Sequence, residues 1–119
     1  MDNVIRKKLF LSTIEAYDKQ ICIKHEGGYD GYMRFNSDDS YENQEWPTSG
    51  LWVAMSHIRF DNNARAKKLI DRITIMSTNN YNLIPEIYTR EEWLYNGAIP
   101  MVGYGAGMYL LALKRFYKN

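Results

Sequence analysis

Two apolar helical patterns joined by a very short polar connection constrain this fold more than any other feature. The first pattern runs from Leu51 to Phe60 and the second from Ala64 to about Ser77. Between them, Asp61-Asn62-Asn63 is typical of a turn, because short polar side chains hydrogen-bond their own backbone and tolerate strained angles. Helices joined this closely lie antiparallel. The segment therefore predicts a helix hairpin, with Thr48 or Ser49 as the N-cap of its first helix.

Two further helices flank the hairpin. From about Asn3 to Gln20, apolar residues recur at spacings near three and four, which indicates a helix with one apolar face. The residues of that face are Ile5, Leu9, Ile14, Tyr17 and Ile21. A last helix is expected from Pro100, which suits a first helical turn, to about Tyr117. The predicted fold class is all-α, in a single domain covering residues 1–119.

Two irregular stretches separate the helices, and both contain many aromatic residues. They run from Lys24 to Thr48 and from Tyr81 to Gly97. Long stretches without regular structure are either functional or disordered, and aromatic residues argue against disorder. Aromatic residues make up 14% of the chain. Such a surplus serves either core packing or a site lined by flat ring faces.

Composition excludes several classes of partner. The 119 residues carry a net charge of +1, which gives no electrostatic reason to expect nucleic acid or an anionic membrane as a partner. No secretory signal pattern opens the chain, and its longest apolar stretch, Ala106 to Leu113, is far shorter than the ~20 residues of a membrane span. A cytoplasmic protein is favoured. One Cys and two His fall short of a closed structural zinc site unless carboxylates or a second chain contribute ligands, and no metal or cofactor is expected.

Three weaker candidates have structural interpretations that we prefer. The run Gly103-Tyr104-Gly105-Ala106-Gly107 lacks the third glycine of a dinucleotide-binding loop, and close packing of a helix backbone against a neighbouring helix explains it better. His57 and Asp61 have the spacing of a metal pair on one helix face, but a structural role is favoured. Cys22 is expected to be a buried, inert thiol.

Glu86 is the carboxylate that most suggests chemistry. It follows Pro85 in a loop and has the apolar residues Ile84 and Ile87 on either side. Burial can tune the proton affinity of such a carboxylate, so that it acts on a water molecule or a leaving group. An exposed glutamate without a function is the alternative.

Several short motifs occur in a definite order along the chain. They are Gly31-Tyr32-Met33-Arg34-Phe35, Asp39-Ser40-Tyr41, Glu45-Trp46-Pro47, the helix hairpin, Leu83-Ile84-Pro85-Glu86 and Gly97-Ala98-Ile99-Pro100. This order resembles the glucoamylase-like glycosidases of glycoside hydrolase family 15, where similar motifs lie in the C-terminal half of a toroid of helix hairpins. The resemblance implies that these helices form part of an (α/α)6 toroid. It also implies that the chain is the C-terminal segment of a larger glycosidase domain.

The resemblance implies roles for three residues. Glu86 matches the general base that activates the hydrolytic water, Arg34 an arginine that hydrogen-bonds sugar hydroxyls, and Trp46 an aromatic wall at the neighbouring sugar site. The implied function is a fragment or subunit of an inverting glycosidase that acts on α-glucosides such as maltooligosaccharides or trehalose. Phe35 stands where the family usually has Tyr, and Ile87 where it usually has Gln, and both departures affect the expected substrate.

Inversion requires a second carboxyl group, roughly 6.5–9.5 Å from the first, that protonates the leaving oxygen. In the family this acid belongs to the N-terminal half, and the sequence contains no counterpart to its motif. We therefore expect the chain alone to be inactive, with a carbohydrate substrate and either the N-terminal half of the toroid or a second copy as partner. The alternative is a non-catalytic helical module that binds carbohydrate or a protein.

Overall fold

Helices dominate the structure, in agreement with the predicted all-α class. The computed structural model describes residues 3–28, 30–90, 95–96, 99 and 101–118. Its helices are α1 (Asn3–Gln20), α2 (Pro47–Arg59), α3 (Asn63–Thr78) and α4 (Gly103–Lys118), with one 3-10 turn at Glu26–Gly28. The four short strands are β1 (Cys22–Ile23), β2 (Gly31–Tyr32), β3 (Ile87–Tyr88) and β4 (Tyr95–Asn96). Strand β1 directly precedes the first irregular stretch, β2 lies within it, and β3 and β4 lie within the second. They pair as two antiparallel two-stranded sheets, β1 with β2 and β3 with β4.

The α2–α3 hairpin is confirmed, but its first helix begins earlier than the apolar pattern indicates. Pro47 occupies the first turn, where a missing backbone N–H costs nothing and the fixed φ angle suits a helix. Trp46 is the N-cap residue and makes no side-chain capping hydrogen bond. The predicted capping role of Thr48 or Ser49 is therefore wrong, because both residues lie inside the helix.

The predicted turn between α2 and α3 is confirmed. Asp61 adopts a φ angle of 62°, in the left-handed region that Asp and Asn tolerate better than most residues. Asn62 is the N-cap of α3, and its side-chain oxygen accepts a hydrogen bond from the backbone N–H of Arg65 at 3.4 Å. Short polar side chains thus perform here the two functions that favour them at turns and caps.

The core lies between α2, α3 and α4. Fully buried apolar side chains from α2 and α3 form its centre, among them Leu51, Val53, Leu69 and Ile73. From α4, Ala112 is buried in the same cluster, while Met108, Leu113 and Phe116 pack against it. Each buried Leu or Ile contributes about 1.5–3 kcal/mol to stability.

Helix α1 is confirmed, but the apolar face predicted for it is only partly correct. Ile14 is buried and Phe10 packs against the core, whereas Ile5, Leu9 and Tyr17 are 50%, 54% and 43% exposed. At about 100° of rotation per residue, Ile5 and Leu9 lie roughly 100–180° around the helix from Phe10 and Ile14. The apolar residues of α1 therefore form two stripes, and only one of them faces the core.

The glycine-rich start of α4 packs differently from the prediction. A side chain at Gly105 would meet Val102 at 2.9 Å and Ile84 at 3.3 Å, so close packing is confirmed at that position. The partner is the loop residue Ile84 rather than a neighbouring helix, and Gly103 and Gly107 face open space. Pro100, Gly97 and Ala98 lie outside the described residues, and the described helix begins at Gly103.

A pair of backbone hydrogen bonds connects the two irregular stretches. The N–H of Glu45 donates to the carbonyl of Tyr88 at 3.2 Å, and the N–H of Tyr88 donates to the carbonyl of Glu45 at 2.9 Å. Next to this bridge, the Trp46 N–H donates to the carbonyl of Tyr32 at 2.8 Å. The first loop is thus joined to the second loop, and its end is held against its own strand β2.

A buried ion pair lies beneath the bridge. The carboxylate of Glu45 accepts from Arg72 Nε at 2.6 Å and pairs with Arg72 Nη2, and both side chains are almost fully buried. His25 Nε2 lies 3.7 Å from the same carboxylate. A Cβ atom at Gly31 would overlap the Glu45 carboxylate, so only glycine fits beside the pair.

Candidate functional site

Two tyrosine hydroxyls converge on the carboxylate of Glu86. Tyr41 Oη donates to Glu86 Oε2 at 2.5 Å, and Tyr104 Oη lies 3.1 Å from Glu86 Oε1. Tyr41 belongs to the first loop and Tyr104 to the first turn of α4, so three distant segments of the chain meet at this carboxylate. Glu86 itself is half-buried, while both tyrosines are exposed.

The local backbone explains why Glu86 faces this site. Its neighbours Ile84, Pro85 and Ile87 are buried, which anchors the segment on both sides of the carboxylate. The N–H of Val102 donates to the carbonyl of Ile84 at 3.1 Å, which holds the loop against the start of α4. The apolar neighbours predicted to flank Glu86 are thus buried, while its carboxylate contacts the hydroxyls of Tyr41 and Tyr104.

Arg34 and Trp46 form the neighbouring part of the site. The guanidinium of Arg34 lies 4.0 Å from the centre of the Trp46 ring and 5.6 Å from the centres of the Phe35 and Tyr41 rings. Tyr41 in turn packs edge-on against Trp46, with ring centres 5.2 Å apart. A guanidinium over an aromatic face is attracted by the ring quadrupole. Tyr41 is therefore the residue that links Arg34 and Trp46 to Glu86.

Arg34 also has a carboxylate partner. Its Nε donates to Glu42 Oε2 at 2.6 Å, and Nη2 pairs with Glu42 Oε1 in the two-pronged arrangement favoured by arginine. We call the assembled residues the Glu86 cluster. Its members are Arg34, Tyr41, Glu42, Trp46, Glu86 and Tyr104.

The electrostatics of the cluster keep its donors protonated. The hydrogen bond to Glu86 raises the pKa of Tyr41 from 10.0 to about 12. Burial, followed by the hydrogen bond to Glu86, raises the pKa of Tyr104. The bond to Glu42 raises the pKa of the Arg34 guanidinium. At neutral pH the two tyrosine hydroxyls are therefore neutral, and the Arg34 guanidinium is charged and paired with Glu42.

Arg34, Trp46 and Glu86, the three residues that the resemblance singles out, lie in one cluster, but the Trp46 ring is not accessible to a ligand. The Trp46 side chain is 2% exposed, and Arg34 covers one face of its ring. The accessible rings belong to Tyr41 and Tyr104, which contact Glu86, and to Phe35, which lies next to Arg34; they are 42%, 51% and 59% exposed. Flat surfaces that a ligand could contact are therefore these three rings.

Sequence reasoning assigned no role to Tyr41, Glu42 and Tyr104. Tyr41 and Tyr104 stand within the motifs Asp39-Ser40-Tyr41 and Gly103-Tyr104-Gly105, so position alone drew attention to them. Their hydrogen bonds to Glu86 join positions far apart in sequence, and no local pattern indicates such a contact. Glu42 could have been recognised as a partner only once the loop between it and Arg34 was folded.

His57, Asp61 and Cys22, the other residues considered from the sequence, lie in surroundings that suit a structural role. His57 is 4% exposed and packs edge-on against the ring of Phe10, with centres 5.5 Å apart, whereas Asp61 is exposed in the turn. The half-buried thiol of Cys22 has a raised pKa, chiefly because of burial. Among the described residues, no group of three or more His, Cys, Asp or Glu is placed to hold a metal ion.

Comparison with protein-family models, curated proteins and solved structures finds no match for this chain. The resemblance to glucoamylase-like glycosidases is therefore a prediction that rests on the order of its motifs. Within the described ranges, no helix combines the length and apolar character that crossing a bilayer requires.

Proposed function

We propose that the Glu86 cluster binds a polyhydroxylated ligand of the oligosaccharide class. The observation that carries this proposal is the carboxylate of Glu86, held by Tyr41 and Tyr104 on an accessible surface lined by aromatic rings. Sugar rings present apolar C–H faces and hydroxyl edges together. Exposed aromatic rings suit the faces, and a carboxylate suits the edges because it accepts hydrogen bonds only.

The carboxylate of Glu86 can accept further hydrogen bonds from such a ligand. An ionised carboxylate offers about four lone-pair sites, and the two tyrosine hydroxyls use two of them. The tyrosine oxygens are themselves acceptors, so the three groups together can satisfy neighbouring hydroxyls of one sugar. Small-molecule sites commonly combine apolar walls with a few fixed polar groups of this kind.

Binding is tested by titrating the chain with maltose, maltotriose and trehalose, followed by calorimetry and by NMR shifts of the tyrosine rings. Glu86→Gln and Tyr104→Phe are expected to weaken binding roughly tenfold or more, because each leaves a hydroxyl of the bound sugar without its partner. Glu15→Gln, an exposed change on α1, is the control. Shifts confined to residues outside the cluster, or equal loss in the control, would contradict the proposal.

A catalytic form of this proposal follows the resemblance. In it, the chain is the part of an inverting glycosidase that supplies Glu86 as general base, and its helices belong to an (α/α)6 toroid completed by another segment. The contacts that link Arg34 to Glu86 through Tyr41 support this form, whereas Trp46 is 2% exposed and covered by Arg34, so another ring would have to form the aromatic wall. Within the described part of the cluster, the second carboxylate, Glu42, is engaged by Arg34, so the general acid would come from the completing segment.

One variant separates the two forms. If Glu86 only binds sugar, Glu86→Gln weakens binding. If Glu86 is the general base, the same variant in the assembled enzyme abolishes hydrolysis while sugar binding stays nearly intact. Turnover of α-linked glucosides and ligand affinity are therefore measured on the same preparation, and unchanged turnover in the variant would exclude the catalytic form.

A further inference from the structure

A second surface, separate from the Glu86 cluster, lies between α1 and α2. Residues of these two helices border a groove of about 640 Å³, and none of them belongs to the Glu86 cluster. Leu9 and Tyr17 line it from α1, Trp52 lines it from α2, and Phe60 follows at the end of α2. We call it the α1–α2 groove.

Two large apolar side chains that line the groove are more than half exposed to solvent. Trp52 is 62% exposed and Leu9 is 54% exposed, although both belong to helices that bury other residues in the core. Leu9 belongs to the stripe of α1 that faces away from the core, together with Ile5, which is 50% exposed. Contiguous apolar patches with a large aromatic residue mark interaction sites, and Trp is frequent among residues that dominate binding energy.

The charged side chains that line the groove are basic. Its charged lining residues are Arg6 and Arg59, and Lys7 continues the basic end toward Asp61. From its start to Tyr17, where the groove ends, α1 contains three basic residues and one acidic residue, Glu15, and α2 contains no acidic residue. The chain as a whole has a net charge of only +1, so this excess is local. Such a surface is complementary to a partner that carries both apolar anchors and carboxylates.

We propose that the α1–α2 groove binds an acidic amphipathic helix of a partner protein. A concave channel between two helices accepts a third helix, whose side-chain ridges fit the grooves of its neighbours. Apolar anchors at helical spacing would contact Leu9, Tyr17 and Trp52, while Asp or Glu residues would pair with Arg6 and Arg59. Recognition of this kind places the apolar face of a helix in a groove and reads charge at its rim.

The test uses the full chain and designed peptides of about 18 residues, long enough to form helix on binding. The probe carries Leu at positions on one helical face and Glu elsewhere, with a fluorophore for anisotropy. One control peptide has the same composition with the Leu positions scrambled, and another has Lys in place of Glu. Micromolar binding of the probe, with each control peptide weaker by roughly tenfold or more, is expected.

Protein variants locate the binding surface. Trp52→Ser and Arg59→Glu are each expected to weaken probe binding roughly tenfold. Ile75→Ser, a change of a 47% exposed residue on α3, and Lys114→Glu on α4 are matched controls that leave binding unchanged. Because Trp52 and Arg59 are exposed, circular dichroism should show an intact fold in both variants.

Three results would overturn the proposal. The first is equal affinity for the probe and the scrambled peptide, and the second is equal loss in the control variants. The third is occupation of the groove by something else. Sedimentation of the free chain as a dimer that Trp52→Ser dissociates would assign the groove to a second copy. Binding of phosphatidylserine vesicles, lost in Arg59→Glu while the peptide does not bind, would assign it to a lipid surface.

Discussion

Two glutamates in the joined loops have opposite surroundings. Glu45 is 1% exposed and holds Arg72 in the interior, beneath the backbone bridge between the loops. Glu86 is half-buried at the surface and accepts hydrogen bonds from two exposed tyrosines. The interior carboxylate is fully engaged by an arginine and closed to any ligand, whereas the surface carboxylate remains accessible. The same residue type therefore stabilises the fold in one place and is open to a ligand in the other.

The largest effect is expected from removing the partner of Glu45. Arg72→Ala leaves a buried carboxylate without its compensating charge, which should lower the free energy of unfolding by roughly 3–5 kcal/mol. Denaturant unfolding followed by circular dichroism measures the loss. Replacing both Arg72 and Glu45 by Met is expected to restore most of the stability, because an apolar pair needs no compensation. A single variant as stable as the parent would show that the pair contributes little.

A smaller loss is expected at Gly31. The Cβ atom of Gly31→Ala would overlap the Glu45 carboxylate, and the required shift should cost about 1–3 kcal/mol. Gly50→Ala is the matched control, since a Cβ there meets nothing within 4 Å. Because Gly50 lies in α2, that change should instead stabilise the protein by about 1 kcal/mol. Thermal unfolding of both variants checks the contrast, and a loss in both would locate the effect elsewhere.

His57 extends the contrast to a buried base. Neither of its ring nitrogens has a hydrogen-bond partner among the described residues, and burial lowers its pKa below 6.5. As the pH falls below 6.5, the unfolded chain takes up a proton before the folded one. Stability should therefore decrease from about pH 6.5 downward, until the pH passes the folded pKa. Urea midpoints across this range test the slope, which His57→Phe should flatten.

The smallest effect on stability is expected at Glu86. Glu86→Gln should change the free energy of unfolding by only about 0.5 kcal/mol, because the site is at the surface. It should nevertheless lower the pKa of Tyr41 from about 12 toward 10.0, since the hydrogen bond to the carboxylate raises that pKa. Tyrosinate absorbance during an alkaline titration reports the change, and Tyr41→Phe assigns the signal. An unchanged titration would mean that Tyr41 and Glu86 do not interact in solution.

Sequence reasoning predicted the helices well because the spacing of apolar residues is a local property. It missed the start of α2 at Pro47, since a proline before an apolar run resembles a loop as much as a first turn. It could not distinguish the two apolar stripes of α1, because the choice of stripe depends on what the rest of the chain packs against. Similarly, the packing of Gly105 against Ile84 involves a loop that has no periodic signal.

Part of the candidate site could be predicted from the sequence, and part of it could not. Glu86, Arg34 and Trp46 were selected by the order of motifs, and they do lie in one cluster. The side chains that connect them, above all Tyr41, come together only through tertiary contacts. The pairing of Glu45 with Arg72 was equally invisible, since α3 and the first loop are adjacent only in the folded chain.

The bridge between Glu45 and Tyr88 also closes the chain on itself. Residues 45 and 88 meet in space, and the whole α2–α3 hairpin lies between them as one closed loop. Ends that are held together keep a hairpin assembled even if its tip is cut. A single proteolytic cut beside Asp61, an exposed residue of the turn, would therefore leave two noncovalently joined pieces.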